Sequence, residues 1–177
     1  EQAEKLGNGG YDAAIVAAYG GLGRLLKDAG MQDTSLLAAE SFLAANAAGT
    51  LLKYAAGRAR PYAEDGKRRF TPFRFKSART SFPSGHTVSA FSLASVFAAR
   101  SELWAVKGLV YSLASGVALQ RVYADKHWAS DVLAGAALGT AVGRWVAAKK
   151  ERGSAASVLL LPVYSRNYTG ASAVLSF

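Results

Sequence analysis

Alanine-rich stretches with apolar residues at helical spacing dominate this chain and restrict it to a mainly helical fold. Tyr11–Lys27 carries that spacing, with Gly20, Gly21 and Gly23 expected to loosen its middle. Asp33 or Thr34 suits the N-cap of a long helix running through Ser41, Asn46 and Lys53 to about Gly57, which Pro61 cannot extend. Further helices are expected over Gly85–Ala99, Glu102–Gln120 and Trp128–Lys149, with Ser101-Glu102 as a cap-and-acid start. Lys149, Lys150 and Arg152 suit a helix C-terminus. After Gly153 the pattern changes: Val158–Tyr164 and Ala171–Phe177 are strand-like, and Arg166–Gly170 resembles a hairpin loop.

A length of 177 residues suits one domain with its own core, taken here as residues 1–177 with a C-terminal hairpin at about 157–177. Cysteine is absent, which excludes disulfides and thiolate metal sites. With 21 Lys and Arg against 12 Asp and Glu, the net charge of +9 favours anionic partners. The sequence starts at Glu1 without an initiator Met or a basic-plus-apolar leader, as after signal-peptide removal or trimming. A membrane-spanning helix needs roughly 20 predominantly apolar residues. Glu40 and Lys53 bracket twelve uncharged residues, and Lys107 and Arg121 bracket thirteen, so no transmembrane span is expected.

Three segments carry chemistry. Lys53 and Arg60-Pro61 are seven residues apart, two helical turns, so both cations are expected on one face, able to grip a phosphate. Such a pair is also commonplace on a solvated helix. Arg58 is expected to face elsewhere, on the surface. Pro83-Ser84-Gly85-His86 forms a tight turn feeding a helix, where free N–H groups meet an anion and Gly lets it approach. By itself it reads better as a capped helix start with an incidental His. In the third segment, His127 and Asp131 are four apart at a helix start, with Arg121 before them. A carboxylate bonded to one ring nitrogen fixes the tautomer and leaves the other as a nucleophile. An ordinary helix pair has the same spacing.

Together the three segments, Lys-x6-Arg-Pro, Pro-Ser-Gly-His and Arg-x5-His-x3-Asp, resemble the signature of the type 2 phosphatidic acid phosphatase superfamily. That group includes bacterial non-specific acid phosphatases, lipid phosphate phosphatases and vanadium haloperoxidases. Ten fixed identities, each about one in twenty, leave chance coincidence negligible. The resemblance covers Lys53 to Asp131; it departs at Gln120, where the signature usually has Ser.

The resemblance implies a compact helical bundle of the acid phosphatase and vanadium-haloperoxidase type, here with a short C-terminal β-hairpin. It implies a metal-independent phosphomonoesterase with no cofactor. Lys53, Arg60 and Arg121 would bind phosphoryl oxygens with Ser84 and the Gly85 N–H. His127 would attack in line and become a phosphohistidine, Asp131 would orient it, and His86 would protonate the leaving group and then activate water. Lipid or isoprenyl phosphates of the bacterial envelope are the expected substrates, with peripheral membrane contact and a periplasmic or envelope location after signal-peptide removal.

Three alternatives stand beside this: a broad-specificity soluble acid phosphatase, a vanadate-dependent haloperoxidase, and a non-catalytic module for anionic lipid or nucleic acid. The last would use the loop from Lys67 to Arg79, where Lys67, Arg68, Arg69, Arg74, Lys76 and Arg79 interleave with Phe70, Phe73 and Phe75. In the enzyme reading, nucleic acid is not expected as a partner, and the same loop is either solvated surface or a lid that recruits anionic amphiphiles.

Overall fold

The computed structural model describes residues 10–151, without 64, 67, 74 and 75, and the backbone of 157–165 and 168–176. The chain divides into two units, 1–147 and 148–177, and all three motif segments lie in the first. Among the described residues five α-helices run in chain order: α1 Gly10–Leu25, α2 Ala29–Ala56, α3 Gly85–Ala99, α4 Trp104–Tyr123 and α5 Ala129–Glu151.

The glycines of α1 do not loosen it. A Cβ at Gly20 would collide with the Ser35 hydroxyl, and one at Gly23 would sit 2.7 Å from Met31 Cβ, so both let α1 lie close along α2. Ser35 Oγ donates to the Val16 carbonyl at 3.0 Å across this contact. α2 starts earlier than expected: Asp28 is its N-cap and accepts from the Met31 N–H at 2.9 Å. Thr34 instead lies inside the helix, its hydroxyl donating to the Gly30 carbonyl. Gly57 ends α2 in the left-handed region, at φ 58°. There a Cβ would strike the Thr71 carbonyl, so glycine is required for geometry and for space alike.

The core joins Val16 of α1, Leu37 and Ala38 of α2, Leu93 and Val96 of α3, and Val146 of α5. α5 meets α3 along Gly135, Gly139 and Gly143, spaced one turn apart. A Cβ at Gly135 would stand 2.8 Å from the Ser84 carbonyl oxygen; at Gly139 it would collide with that of Val88, and at Gly143 it would lie 2.5 Å from that of Ser92. The two backbones are therefore in direct contact, as small residues spaced in fours allow. This seam aligns the start of α5, which holds Asp131 in its first turn and follows His127, with the turn at Ser84.

Gly139→Ala is expected to destabilise the fold by about 1–3 kcal/mol, since a backbone carbonyl cannot rotate aside as a side chain can. Gly116→Ala serves as the control. Nothing lies within 4 Å of the added methyl there, and alanine is the better helix former. Denaturant midpoints of the two variants should fall on opposite sides of the parent, or coincide with it for Gly116→Ala.

The charge brackets, from which no transmembrane span is expected, do not anticipate the length of α2. By length and composition α2, 28 residues long, suffices to cross a membrane. Glu40 and Lys53 do not prevent this, because the apolar window tolerates up to two charges. Leu36, Leu43 and Leu51 are each at least 64% exposed along α2, and Leu109, Leu113, Leu133 and Trp145 are exposed on α4 and α5.

The established fold is this helical one. The C-terminal hairpin stays an expectation of the sequence. Its backbone is traced as strands β1 Ser157–Ser165 and β2 Tyr168–Ser176, antiparallel, with Ser157 opposite Ser176.

Candidate active site

The site forms where the segment after α2, the turn before α3 and the loop between α4 and α5 meet. Backbone bonds tie them together: Ser81 N–H to the Arg58 carbonyl, Arg60 N–H to that of Ala78, and Ser84 N–H to that of Asp131, each at 3.0 Å. Trp128 Nε1 donates to the Ala59 carbonyl at 2.9 Å. The basic loop is stitched to the same frame, with Ala59 N–H on the Arg69 carbonyl and Thr71 N–H on that of Gly57. Arg79 is paired with Asp65 at 2.6 Å. Residues 69–71 and 78–81 are thus bonded to the site's scaffold; Lys67, Arg74 and Phe75 lie outside the described residues.

The sequence-derived residues come together, though not by the route expected. α2 ends at Ala56, so Lys53 and Arg60 do not share a helical face. The chain turns at Gly57 and brings Arg60 back. Lys53 Nζ lies 3.5 Å from where a Gly85 Cβ would be, so the absence of that methyl leaves room beside the ammonium. Arg60 Nη2 donates to Thr80 Oγ1 at 3.3 Å. Its Nε is buried with no acceptor, an unmet donor that an anion would satisfy. Arg121 lies within electrostatic reach of Arg60, and its Nε donates to Gln120 Oε1 at 2.6 Å. The departure at Gln120 thus supplies a partner for the neighbouring arginine.

Ser84 is the N-cap of α3, yet its side chain makes no capping bond. Its hydroxyl accepts from Thr87 Oγ1 at 3.0 Å, which leaves its own hydrogen to donate elsewhere. Gly85 and His86 open the first turn of α3.

His127 precedes α5 and is almost fully buried. Its Nδ1 lies 2.7 Å from the Ser81 carbonyl oxygen. A carbonyl only accepts, so Nδ1 carries the hydrogen, and in the neutral ring Nε2 has the free lone pair. Burial, then Arg60, with Lys53 and His86 acting the same way, pushes the imidazole down from its ordinary 6.5 to about 3, against the opposing Ser81 bond.

Two expectations are corrected here. The Asp131 carboxylate is not bonded to the imidazole. It accepts from Arg58 Nη1 and from Ser81 Oγ, each at 2.5 Å, and from the Trp128 N–H at 3.0 Å. Nor is Arg58 a surface residue. It is buried, between the Phe70 ring at 5.4 Å and the Trp128 ring at 5.9 Å, and it also donates to Ser130 Oγ. Sequence reasoning missed Ser81 altogether. No periodicity marks it, because it lies in an irregular turn. Among the described residues no group of three His, Asp or Glu could hold a metal ion.

Residues 34–153 match the PAP2 superfamily. The chain belongs to that family. The match contains every motif residue from Lys53 to Asp131, as their resemblance implied, and stops before the strands. PAP2 relatives include the lipid A 1-phosphatase of Porphyromonas gingivalis, 42% identical over 95 residues, which are 51% of this chain and 18% of that protein. The lipid A 1-phosphatase of Rhizobium etli is 38% identical over 91 residues, 50% of this chain and 38% of that protein. The chain therefore spans well under half the length of these relatives. The crystal structure of Aquifex aeolicus LpxE shares the fold, with a TM-score of 0.55 and 21% identity over 76% of this chain and 84% of that one.

Proposed function

We propose that this PAP2 domain is a metal-independent phosphomonoesterase that acts on lipid phosphates of the bacterial envelope through a phosphohistidine at His127. The observation that carries the reading is the bond from His127 Nδ1 to the Ser81 carbonyl, which leaves Nε2 as the lone-pair nitrogen, in a buried setting where Arg60, Lys53 and His86 disfavour the imidazolium. A lone-pair nitrogen kept unprotonated beside fixed cations is what in-line attack on a bound phosphate requires. Lys53, Arg60 and Arg121 hold the phosphoryl oxygens, with the Ser84 hydroxyl and the Gly85 N–H at the start of α3. Cations and oriented dipoles of this kind stabilise phosphoryl transfer without a metal. His86 protonates the departing oxygen and then activates water. Asp131 is part of the catalytic unit from behind the imidazole.

The relatives' name, lipid A 1-phosphatase, supports a lipid phosphate. So does the helical surface, where leucines and Trp145 lie exposed on several helices and α2 is long and apolar enough to enter a bilayer. The reading takes the helical unit as the catalytic domain, in contact with the membrane on the envelope side, and gives the C-terminal hairpin no part in it. No observation favours the haloperoxidase or the non-catalytic module over it.

A phosphate-release assay across soluble monoesters and detergent-solubilised lipid phosphates tests it, each substrate with and without EDTA. The lipid phosphates should give the highest kcat/KM, and chelator should change nothing. Loss of activity in EDTA that magnesium or zinc restores would overturn metal independence. Preference for soluble esters would turn the reading to a broad-specificity acid phosphatase.

A further inference from the structure

Behind His127 lies a buried cluster drawn from three separate segments of the chain: Arg58, Ser81 and Asp131. We propose that Ser81 is the positioning residue for His127, and that Asp131 and Arg58 act on the imidazole only through it. This rests on the reading of His127 as the nucleophile.

Ser81 is fully buried and is used at both ends. Its hydroxyl donates to Asp131 Oδ2 at 2.5 Å, and its carbonyl accepts from His127 Nδ1 at 2.7 Å. Its own N–H donates to the Arg58 carbonyl at 3.0 Å. Two bonds, from the hydroxyl and the N–H, therefore fix where the carbonyl points, and the carbonyl fixes the ring. Asp131 is held in turn by the Arg58 guanidinium and the Trp128 N–H.

The arrangement has a chemical consequence. A carboxylate bonded directly to the imidazole would favour the protonated ring, which has no nucleophilic nitrogen. A neutral carbonyl fixes the same tautomer without placing a full negative charge against the ring. The Asp131 charge faces Arg58 instead, and burial with the surrounding cations then keeps His127 neutral.

The chain has two histidines, so histidine 15N NMR of the detergent-solubilised protein reads them individually, with His86→Ala assigning the signals. In the parent, Nδ1 of His127 should be protonated and Nε2 not. In Ser81→Ala the His127 shifts should move toward the average of the two tautomers, and kcat should fall by about 10²-fold, the order expected for a misplacement near 1 Å. KM should stay within about threefold, because no phosphate-binding group is touched; Ser81→Thr, which keeps the hydroxyl, should recover most of the loss. Asp131→Asn should cost a similar factor, and the Ser81→Ala/Asp131→Asn double variant no more than the worse single, since one path is broken in each.

A Ser81→Ala protein with the parent's tautomer and kcat would overturn the proposal, as would losses that multiply in the double variant. Should Ser81→Ala not fold, the isosteric Asp131→Asn decides alone: a folded variant with an unaltered His127 tautomer sinks the relay. The NMR arm reads the relay whether or not His127 is the nucleophile. A rapid quench that traps no phosphohistidine in the parent would instead remove the underlying reading, and the catalytic role of the relay with it.

Discussion

His127→Ala is expected to lose turnover by at least about 10⁴-fold, the scale of loss when the nucleophile of a concerted group is removed. Binding of inorganic phosphate should survive within a few-fold, because Lys53, Arg60 and Arg121 are untouched. In the parent, rapid quench with labelled substrate should trap an acid-labile, alkali-stable adduct on His127, absent from the variant. Wild-type-like turnover in His127→Ala would end the mechanism.

The pH profile adds a second readout. Free His127 titrates near 3, so protonation of the nucleophile should depress kcat/KM only well below neutrality, after correction for the substrate's own ionisation. A bound phosphate dianion favours the imidazolium and raises that value in the complex. The acid limb of kcat should therefore lie at higher pH than that of kcat/KM. Stability carries the same sign. Between 6.5 and about 3 the unfolded chain binds a proton at His127 that the folded chain does not, so folding should weaken as pH falls through that range.

Helical periodicity and turn residues located the five helices to within about two turns, because apolar residues recur at helical spacing and breakers such as Gly57 interrupt the chain between them. What periodicity could not choose was which cap-forming residue begins α2. Asp33 and Thr34 are the residues that the sequence singles out, whereas the cap bond runs from the Met31 N–H to Asp28, and Thr34 lies inside the helix. Counting charges as breaks hid the membrane-length character of the same helix. The close packing of α5 on α3 was also hidden, since a run of glycines reads as weak helix until its partner is known.

The residues of the site were legible because their spacing is a signature. Their connections were not. Extrapolating a helical face past Gly57 put Arg58 on the surface and Arg60 above Lys53, whereas the left-handed turn at Gly57 sends Arg58 inward to Asp131. Likewise a four-residue spacing suggested a His127–Asp131 bond, but His127 lies ahead of α5, where the helical rule does not hold. Ser81 takes the place that Asp131 was expected to fill, and nothing local to Ser81 announces it.

His86→Ala is expected to separate two substrates that the parent handles by one route. A departing alkoxide needs a proton, whereas p-nitrophenolate leaves without one. General-acid catalysis contributes about 10²–10⁴-fold, so kcat/KM for an alkyl phosphate should fall by that factor while that for p-nitrophenyl phosphate barely moves. The same imidazole has a second duty, since it must activate water to clear the phosphohistidine. With p-nitrophenyl phosphate the variant should still phosphorylate His127 quickly and then stall. The record would be a burst of p-nitrophenolate close to one equivalent per enzyme, followed by a slow steady state. No such burst is expected with the alkyl ester, because its first step is already slow. His86 opens α3 beside Gly85, close enough to help push His127 down, so a role in phosphate binding is the alternative to be met. Binding alone would cost both substrates equally in kcat/KM and give no burst, and that result would move His86 from proton transfer to the phosphate cradle.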